Sequence, residues 1–512
     1  MQRIGTHPGK TRWIIGLQGQ TMRLPRNFFS SMSSYINNIY VNQMEVIMKI
    51  LLIAPASGKW RRVGRNWLFN GRTFRFSMLS LLSVAAETPP DCEIRIIDEQ
   101  IETIPWNENV DLVGVTFMTA LAPRAYEIAD QFRARGVPVV AGGMHSSFCP
   151  QEALQHVDAV VVGEAEGVWP RVVEDARRGR MNGVYRAESP PDLALLKHPP
   201  HHLLEPGNYS THAVQATRGC PHRCSFCAIS AFHHHEQHRR PVDDVVEEVK
   251  RIPARFFIFV DDNMTADRDY ACRLFEKLAP LNKRWVTQST LSIAEDPQFV
   301  QLAAKAGCIG LFVGLESFSD ANLGTVNKTC HRVESYRESM GTLHAHGIAV
   351  EAGIVFGFDG DDAGVFSRTL TILDELEVDA IQASIFTPLP GTEQFETKQN
   401  RILDRNWSHY DFHHVVFEPH GMSAEALQAG HDWVTYEFYR PRRIAKRLAR
   451  HAARPNGIKT LPYVAAVNLA YYGRTVRWHI RGWNPQETAC DQGARASGHL
   501  AQMGISSIRP AA

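Results

Sequence analysis

Short apolar runs recur along the first part of the chain, at 50–54, 112–116 and 137–141, with a weaker one at 158–162 and a further candidate at 94–97. Each is four to six residues long and bounded by Gly, Pro or Asp, which reads as strand. Between them lie helical periodicities, at 122–135 and 167–177. Strand alternating with helix predicts a doubly wound parallel sheet over residues 48–180. Ligands on such sheets bind at the carboxyl ends of the strands. Those ends read Pro55-Ala56-Ser57-Gly58, Asp98-Glu99, Thr116-Phe117-Met118-Thr119, Gly142-Gly143-Met144 and Gly163-Glu164. Glycine there lets the backbone approach a large ligand closely.

Six further β-branched and aromatic runs follow, at 212–216, 256–260, 285–288, 309–313, 349–356 and 380–386. Amphipathic segments at 242–252, 267–278, 296–306, 333–345 and 364–375 separate them. This alternation predicts βα units over residues 212–417, with chemistry at the C-terminal strand ends. Residues 181–211 are rich in Pro and His and read as a surface linker with solvated histidines. From about 418 to 491 the pattern is helical. Residues 436–453 carry Arg440, Arg442, Arg443, Lys446, Arg447 and Arg450 beside Tyr439, Ile444 and Leu448. This region is expected to cap the barrel mouth, with its basic face solvated and in at most peripheral contact with a membrane. Residues 492–512 are small and polar, the composition of a disordered tail. Residues 1–47 contain no acidic residue before Glu45 and little periodicity, whereas Met48 opens a strand. An unstructured extension or a mis-assigned start is expected there.

Composition narrows the class. A chain of 512 residues holds two or three domains. Apolar content of 44% and charged content of 21% are those of an ordinary globular protein, and a net charge of +1 gives no global steering toward nucleic acid or membrane. No apolar run reaches the ~18–20 residues of a membrane span. Nine cysteines are present and three of them are clustered, which fits a reducing cytoplasm and one metal site rather than a disulfide framework.

The clustered three, Cys220, Cys224 and Cys227, lie in TRGCPHRCSFCA at 217–228. Iron–sulfur clusters normally take four thiolates, so three would leave one iron open to a small molecule. A structural zinc site or buried free thiols are the blander readings. Zinc would want a fourth Cys or His near a second pair, and only His222, inside the loop, offers itself.

The spacing, the Gly before the first Cys and the aromatic before the last resemble the radical S-adenosylmethionine (SAM) superfamily. That resemblance implies a 4Fe-4S cluster whose open iron chelates SAM, on a partial (β/α)6 barrel. It implies that Phe226 packs near the adenine and that Asp261, Asp262 and Asn263 hold the SAM amino group. Glu316, followed by Ser317, would contact the ribose or amino group. Arg218 and Arg223 would offset the cluster's negative charge. As plain structure, Asx residues before a helix are caps and Phe226 is a loop anchor. His413 and His414 have open roles, and His233, His234, His235 and His238 read as a solvent-facing loop.

The N-terminal sheet resembles the Rossmann-like cobalamin-binding domain that precedes this barrel in a large subfamily. Thr119-Ala120-Leu121 matches its S-x-L run and Gly142-Gly143 its Gly-Gly pair; Gly163 and Glu164 lie at the next strand end. The usual D-x-H-x-x-G run is absent, because Ala56-Ser57-Gly58-Lys59-Trp60 has no histidine. The resemblance therefore implies cobalamin without a lower histidine ligand, and His145 reads as a pocket or surface residue. The implied activity is methylation of an unactivated carbon of a small-molecule or lipid substrate, with SAM cleaved to a 5′-deoxyadenosyl radical. The electron donor would be a flavodoxin or ferredoxin, and nucleic acid is not an expected partner. The rival readings are radical cyclisation or rearrangement of the porphyrin-cyclase type, a tRNA methylthiotransferase-like enzyme, and a non-enzymatic cobalamin-binding protein. The methylthiotransferase would need a second cysteine trio, which Cys92 and Cys149 do not make.

Overall fold

The computed structural model describes residues 16–17, 20–21, 47–56, 77–205, 207–209, 211–330 and 332–480. The chain divides into two compact units, Met1–Met48 and Lys49–Ala512. In the first, the described strands are an antiparallel pair, Gly16–Leu17 with Gln20–Thr21. The expectations for the rest of residues 1–46, for the loop after Ala56 and for the 492–512 tail lie outside the described residues.

The second unit is α/β, as the alternating pattern predicts. Its first sheet is built from β1 (Met48–Ala54), β2 (Cys92–Asp98), β3 (Leu112–Thr116), β4 (Val139–Gly142), β5 (Ala159–Val162) and β6 (Gly183–Arg186). The spatial order is β2-β1-β3-β4-β5-β6, and every recorded pair from β1 to β6 is parallel. Helices α1 (Leu79–Glu87), α2 (Ala122–Arg133), α3 (Met144–Phe148) and α4 (Trp169–Arg177) cover it. Residues 50–53 and 159–162 are wholly buried, as strands covered on both faces must be. β6 corrects the expected linker. Residues 183–186 pair in register with β5, so the sheet runs past residue 180.

The second sheet contains β7 (His212–Val214), followed by the short antiparallel hairpin of β8 (Thr217–Gly219), α5 (Ala228–Phe232) and β9 (Gln237–Arg239). The βα units continue through α6 (Val242–Arg251), β10 (Phe256–Phe259), α7 (Arg268–Leu278), β11 (Arg284–Ser289), α8 (Pro297–Lys305), β12 (Cys308–Glu316), α9 (Tyr336–Ala345), β13 (Ala349–Phe356), α10 (Val365–Glu375) and β14 (Ala380–Ile385). Six parallel strands in the order β14-β13-β12-β11-β10-β7 form the partial barrel. Two of its helices, α7 and α8, begin at acidic caps. Asp267 accepts from Tyr270 N at 2.9 Å, and Asp296, just before Pro297, accepts from Gln298 N at 3.0 Å and Phe299 N at 3.1 Å.

The C-terminal helices are α11 (Ala424–Phe438), α12 (Pro441–Ala453) and α13 (Gly457–Ile480). They correct a second expectation, because α11 flanks β14 and α10 while α12 and α13 lie at the floor of the barrel, not its mouth. Lys459 O accepts from Arg284 at the start of β11 at 2.7 Å. Tyr463 fills the space in front of Gly310, where a Cβ would sit 2.6 Å from its ring. Tyr471 donates to Glu351 near the start of β13 at 2.5 Å. A six-stranded barrel leaves its lower end open, and the aromatic face of α13 fills it. Among the described residues, no helix is long and apolar enough to cross a membrane.

Candidate functional site

The cysteine loop leaves β8 and returns through α5, so the hairpin fixes both its ends. Asp261, fully buried after β10, accepts from Ala216 N (3.1 Å) and from the Thr217 hydroxyl (2.7 Å) and amide. Asp262 accepts from Gly219 N at 2.8 Å. Burial pushes the two carboxyls up, to about 7 and about 6, against the pull of those donors. Both carboxylates thus face loop backbone. Gly219 itself must be glycine, with φ +80° and a Cβ that would lie 2.3 Å from Glu236 O.

Asn263 faces the cysteines. Its Nδ2 is 3.7 Å from Cys220 Sγ, and its buried Oδ1 has no partner among the described residues. Glu316 ends β12 in the left-handed region (φ +61°) and pairs with Lys328 at 3.0 Å, both side chains largely buried. Ser225 N bonds Val326 O at 3.0 Å, which ties the cysteine loop to the segment carrying Lys328. Ser317 Oγ accepts from Ser319 N at 3.2 Å, and Phe226 meets Phe386 edge-on at 6.5 Å. Burial raises the Cys224 thiol to about 12, while Lys328 pulls it down. Lys328 is the cation beside the cysteines, and sequence reasoning missed it: a lysine in a loop after β12 carries no local signal. Cys330 lies in the same neighbourhood: burial raises its thiol, and Cys220 adds to that rise.

Arg218 does what the sequence did not foretell. Its guanidinium reaches across to the first sheet, with Nη1 2.5 Å from Glu164 and Nη2 2.7 Å from Glu166, while Nε donates to Gln215 at 3.0 Å. Its charge is spent there, and Arg223 is exposed. Beside this ion triad lies a cavity of about 390 Å³. Gly142, Gly143, Gly163 and Glu164 line it from the strand ends, and Arg218, Phe232 and His233 from the barrel. A Cβ at Gly142 or Gly163 would meet nothing within 4 Å. Thr119 is not at the cavity wall; its turn, Thr119–Leu121, packs against the turn Trp407–His409.

His145 is fully buried, neither at the surface nor in the cavity. It lies 3.3 Å from Glu152 and 5.2 Å, ring to ring, from Trp407, whose indole donates to Glu152 at 2.9 Å. The histidine run is likewise not a solvent-facing loop. Of its members only His234 is exposed, and burial lowers His233 to about 4, so it lines the cavity as a neutral imidazole. His414 pairs with Asp411 at 2.8 Å, and His413 packs on His431.

The residues fit the groups that the resemblance implies. Three free thiols in one loop, with an unpaired buried carbonyl oxygen on Asn263 beside them, suit a three-thiolate cluster with a bound ligand. Among the described residues, no three Cys, His, Asp or Glu side chains converge as a single metal ion would need. The glycine-walled cavity suits a large planar cofactor.

Comparison with known proteins agrees. Residues 214–366 match the family described as "Radical SAM superfamily", and residues 84–173 match "B12 binding domain". The chain is 31% identical over 387 residues to the bacteriochlorophyllide d C-12(1)-methyltransferase of Chlorobaculum tepidum, covering 72% of this chain and 84% of that one. It is 29% identical to the bacteriochlorophyllide d C-8(2)-methyltransferase of the same organism, covering 65% and 78%. The radical SAM methyltransferase TsrM from Kitasatospora setae, solved with cobalamin and a [4Fe-4S] cluster bound, shares the fold. Its TM-score is 0.57 at 17% identity, over 69% of this chain and 78% of that one. The chain belongs to the cobalamin-dependent radical SAM methyltransferases. It is an enzyme whose cofactors are a 4Fe-4S cluster, SAM and cobalamin.

Proposed function

We propose that this enzyme methylates an unactivated alkyl carbon on a tetrapyrrole macrocycle. The two relatives named for bacteriochlorophyllide d support the substrate class. The observation that carries the reaction type is the Arg218–Glu164–Glu166 triad, which joins the cysteine-loop hairpin to the wall of the glycine cavity. When bound, the cluster supplies the electron that cleaves SAM, and cobalamin supplies the methyl group.

Cys220, Cys224 and Cys227 hold the cluster in this reading. Asp261 and Asp262 hold the loop by its backbone, and Lys328 offsets the charge of the thiolates. Asn263 offers its carbonyl oxygen to the SAM ammonium, an acceptor of the kind that group requires. Glu316, Ser317 and Phe226 complete the SAM pocket. Gly142, Gly143, Gly163 and Glu164 receive cobalamin, and Thr119 positions that wall from behind. Residues 48–186 are the cobalamin-binding domain, 212–417 the barrel and 418–480 its helical floor. A flavodoxin or ferredoxin in the cytoplasm delivers the electron, where the cluster stays reduced.

Anaerobically reconstituted enzyme, given CD₃-labelled SAM and a chlorophyllide-type substrate, is expected to give a product heavier by one labelled methyl group. Replacing Cys220, Cys224 and Cys227 together by Ala is expected to abolish 5′-deoxyadenosine formation. A product that loses hydrogen without gaining the label would replace methylation with cyclisation. SAM cleavage by the triple variant would remove the cluster assignment.

A further inference from the structure

The floor of the barrel holds a second cavity, of about 510 Å³, between the end of α10 and the basic face of α12. It lies beside residues 373–378, just before the start of β14, whereas the cysteine loop belongs to the opposite, C-terminal strand ends. Six cations line it: Arg442, Arg443, Lys446, Arg447, Arg450 and Arg454. Three of them have carboxylates. Arg443 pairs with Asp374, Arg450 approaches Glu377 at 3.9 Å, and Arg454 takes Asp379 at 2.8 Å and Glu377 at 3.2 Å.

Arg442, Lys446 and Arg447 have no carboxylate partner among the described residues. Arg447 is the telling one. It is 7% exposed, stacks at 3.7 Å on the Phe438 ring, and donates only to neutral oxygens, Phe438 O at 2.8 Å and Asn468 Oδ1. Burial pushes its guanidinium down to about 10, against the more distant pull of Asp379 and Asp374. A buried guanidinium that no carboxylate touches gains from an anion brought into direct contact. Guanidinium forks match the oxygens of a phosphate, and lysine adds a point charge. The volume falls within the ~300–1,000 Å³ of ordinary ligand sites, larger than a phosphate group alone requires.

We propose that this cavity binds a phosphate-bearing ligand, with Arg442, Lys446 and Arg447 holding the phosphate. The site is separate from the cysteine loop and does not rest on the methyl-transfer reading. Two sources carry this chemistry, a free phosphorylated metabolite and an anionic lipid headgroup, and the experiment separates them.

The full-length protein is titrated with inorganic pyrophosphate by calorimetry and sedimented with phosphatidylglycerol or phosphatidylcholine vesicles. The double variant Arg442→Gln/Lys446→Gln, which breaks no recorded ion pair, is treated identically, with its melting temperature as the folding control. Pyrophosphate binding weakened by about tenfold or more in the double variant supports the site. Co-sedimentation with phosphatidylglycerol alone, reversed by pyrophosphate, identifies the lipid headgroup. Pyrophosphate binding without co-sedimentation identifies a soluble ligand. Absence of pyrophosphate binding, or equal binding by a normally folded double variant, overturns the proposal. So does vesicle binding that pyrophosphate does not compete, because that would be surface attraction rather than occupancy of the cavity.

Discussion

Gly142 and Gly143 are neighbours that are glycine for different reasons. A Cβ at Gly142 would project into open space at the cavity wall; one at Gly143 would strike Phe117 O at 2.7 Å, on a backbone already at φ +97°. Gly142→Leu is therefore expected to fold, with stability within about 1 kcal/mol of the parent, because the added Cβ meets no atom and the residue lines the cavity. It should nevertheless lose hydroxocobalamin on gel filtration, because the side chain occupies the ligand's space. Gly143→Ala should instead cost about 1–3 kcal/mol in urea titration. Full corrin retention by Gly142→Leu would place the cofactor elsewhere. The pair was legible in the sequence, but its division of labour was not, since φ and the reach of Phe117 are three-dimensional facts. Cys220, Cys224 and Cys227 were legible as a group because they are close in sequence, and the structure keeps them in one loop. Lys328 and the true direction of Arg218 were not, since each depends on a partner from another element.

Elements were legible where the code is local and lost where it is not. The amphipathic runs at 267–278 and 296–306 marked α7 and α8 to within a residue. β6 escaped because an edge strand of four residues, with two of them exposed, carries no apolar run. The C-terminal helices were recognised as helices but put at the wrong end of the barrel, for an amphipathic pattern says that a face is buried and not against what. Asp379 shows what fixes them. Its buried carboxylate accepts from Val350 N (3.0 Å) and Arg454 (2.8 Å) and lies 3.1 Å from His344 and 2.9 Å from His451, joining α9, β13 and α12. These partners hold its carboxyl far below the ordinary carboxylate range in spite of burial. A carboxyl depressed in the folded state stabilises above its unfolded value of ~3.9 and loses that contribution as pH falls through and below it. Asp379→Asn is expected to lower stability by about 3–5 kcal/mol at pH 7, the usual result of breaking a buried ion pair. Its deficit relative to the parent should shrink on acidification below about pH 5. Paired urea midpoints at pH 7 and about pH 2.5, below the unfolded value, give the answer; a deficit that does not change between them would mean that Asp379 acts by packing alone.

At the scale of the whole molecule, Lys49–Ala512 is one compact unit, so a chain starting at Met48 is expected to match the full chain in corrin retention and iron content. Loss of solubility on that truncation would make residues 1–47 structural. Within the unit, Arg218 ties the cysteine hairpin to the wall of the glycine cavity, and the proposed reaction would need the two held together. Glu164 and Glu166 are both largely buried, so removing the guanidinium leaves two carboxylates facing each other without a cation. Arg218→Met keeps the volume and deletes the charge; it is expected to cost about 3–5 kcal/mol. A purely structural loss would lower every activity in proportion. A coupling role predicts a split, in which 5′-deoxyadenosine still forms, because the cysteines and Lys328 are untouched, while methylated product per 5′-deoxyadenosine falls. Adding Glu164→Gln and Glu166→Gln to Arg218→Met removes the unpaired charges and should recover stability without recovering the product ratio, since the bridge is still gone. An unchanged ratio of product to 5′-deoxyadenosine in Arg218→Met would show that the two walls hold their distance without the triad.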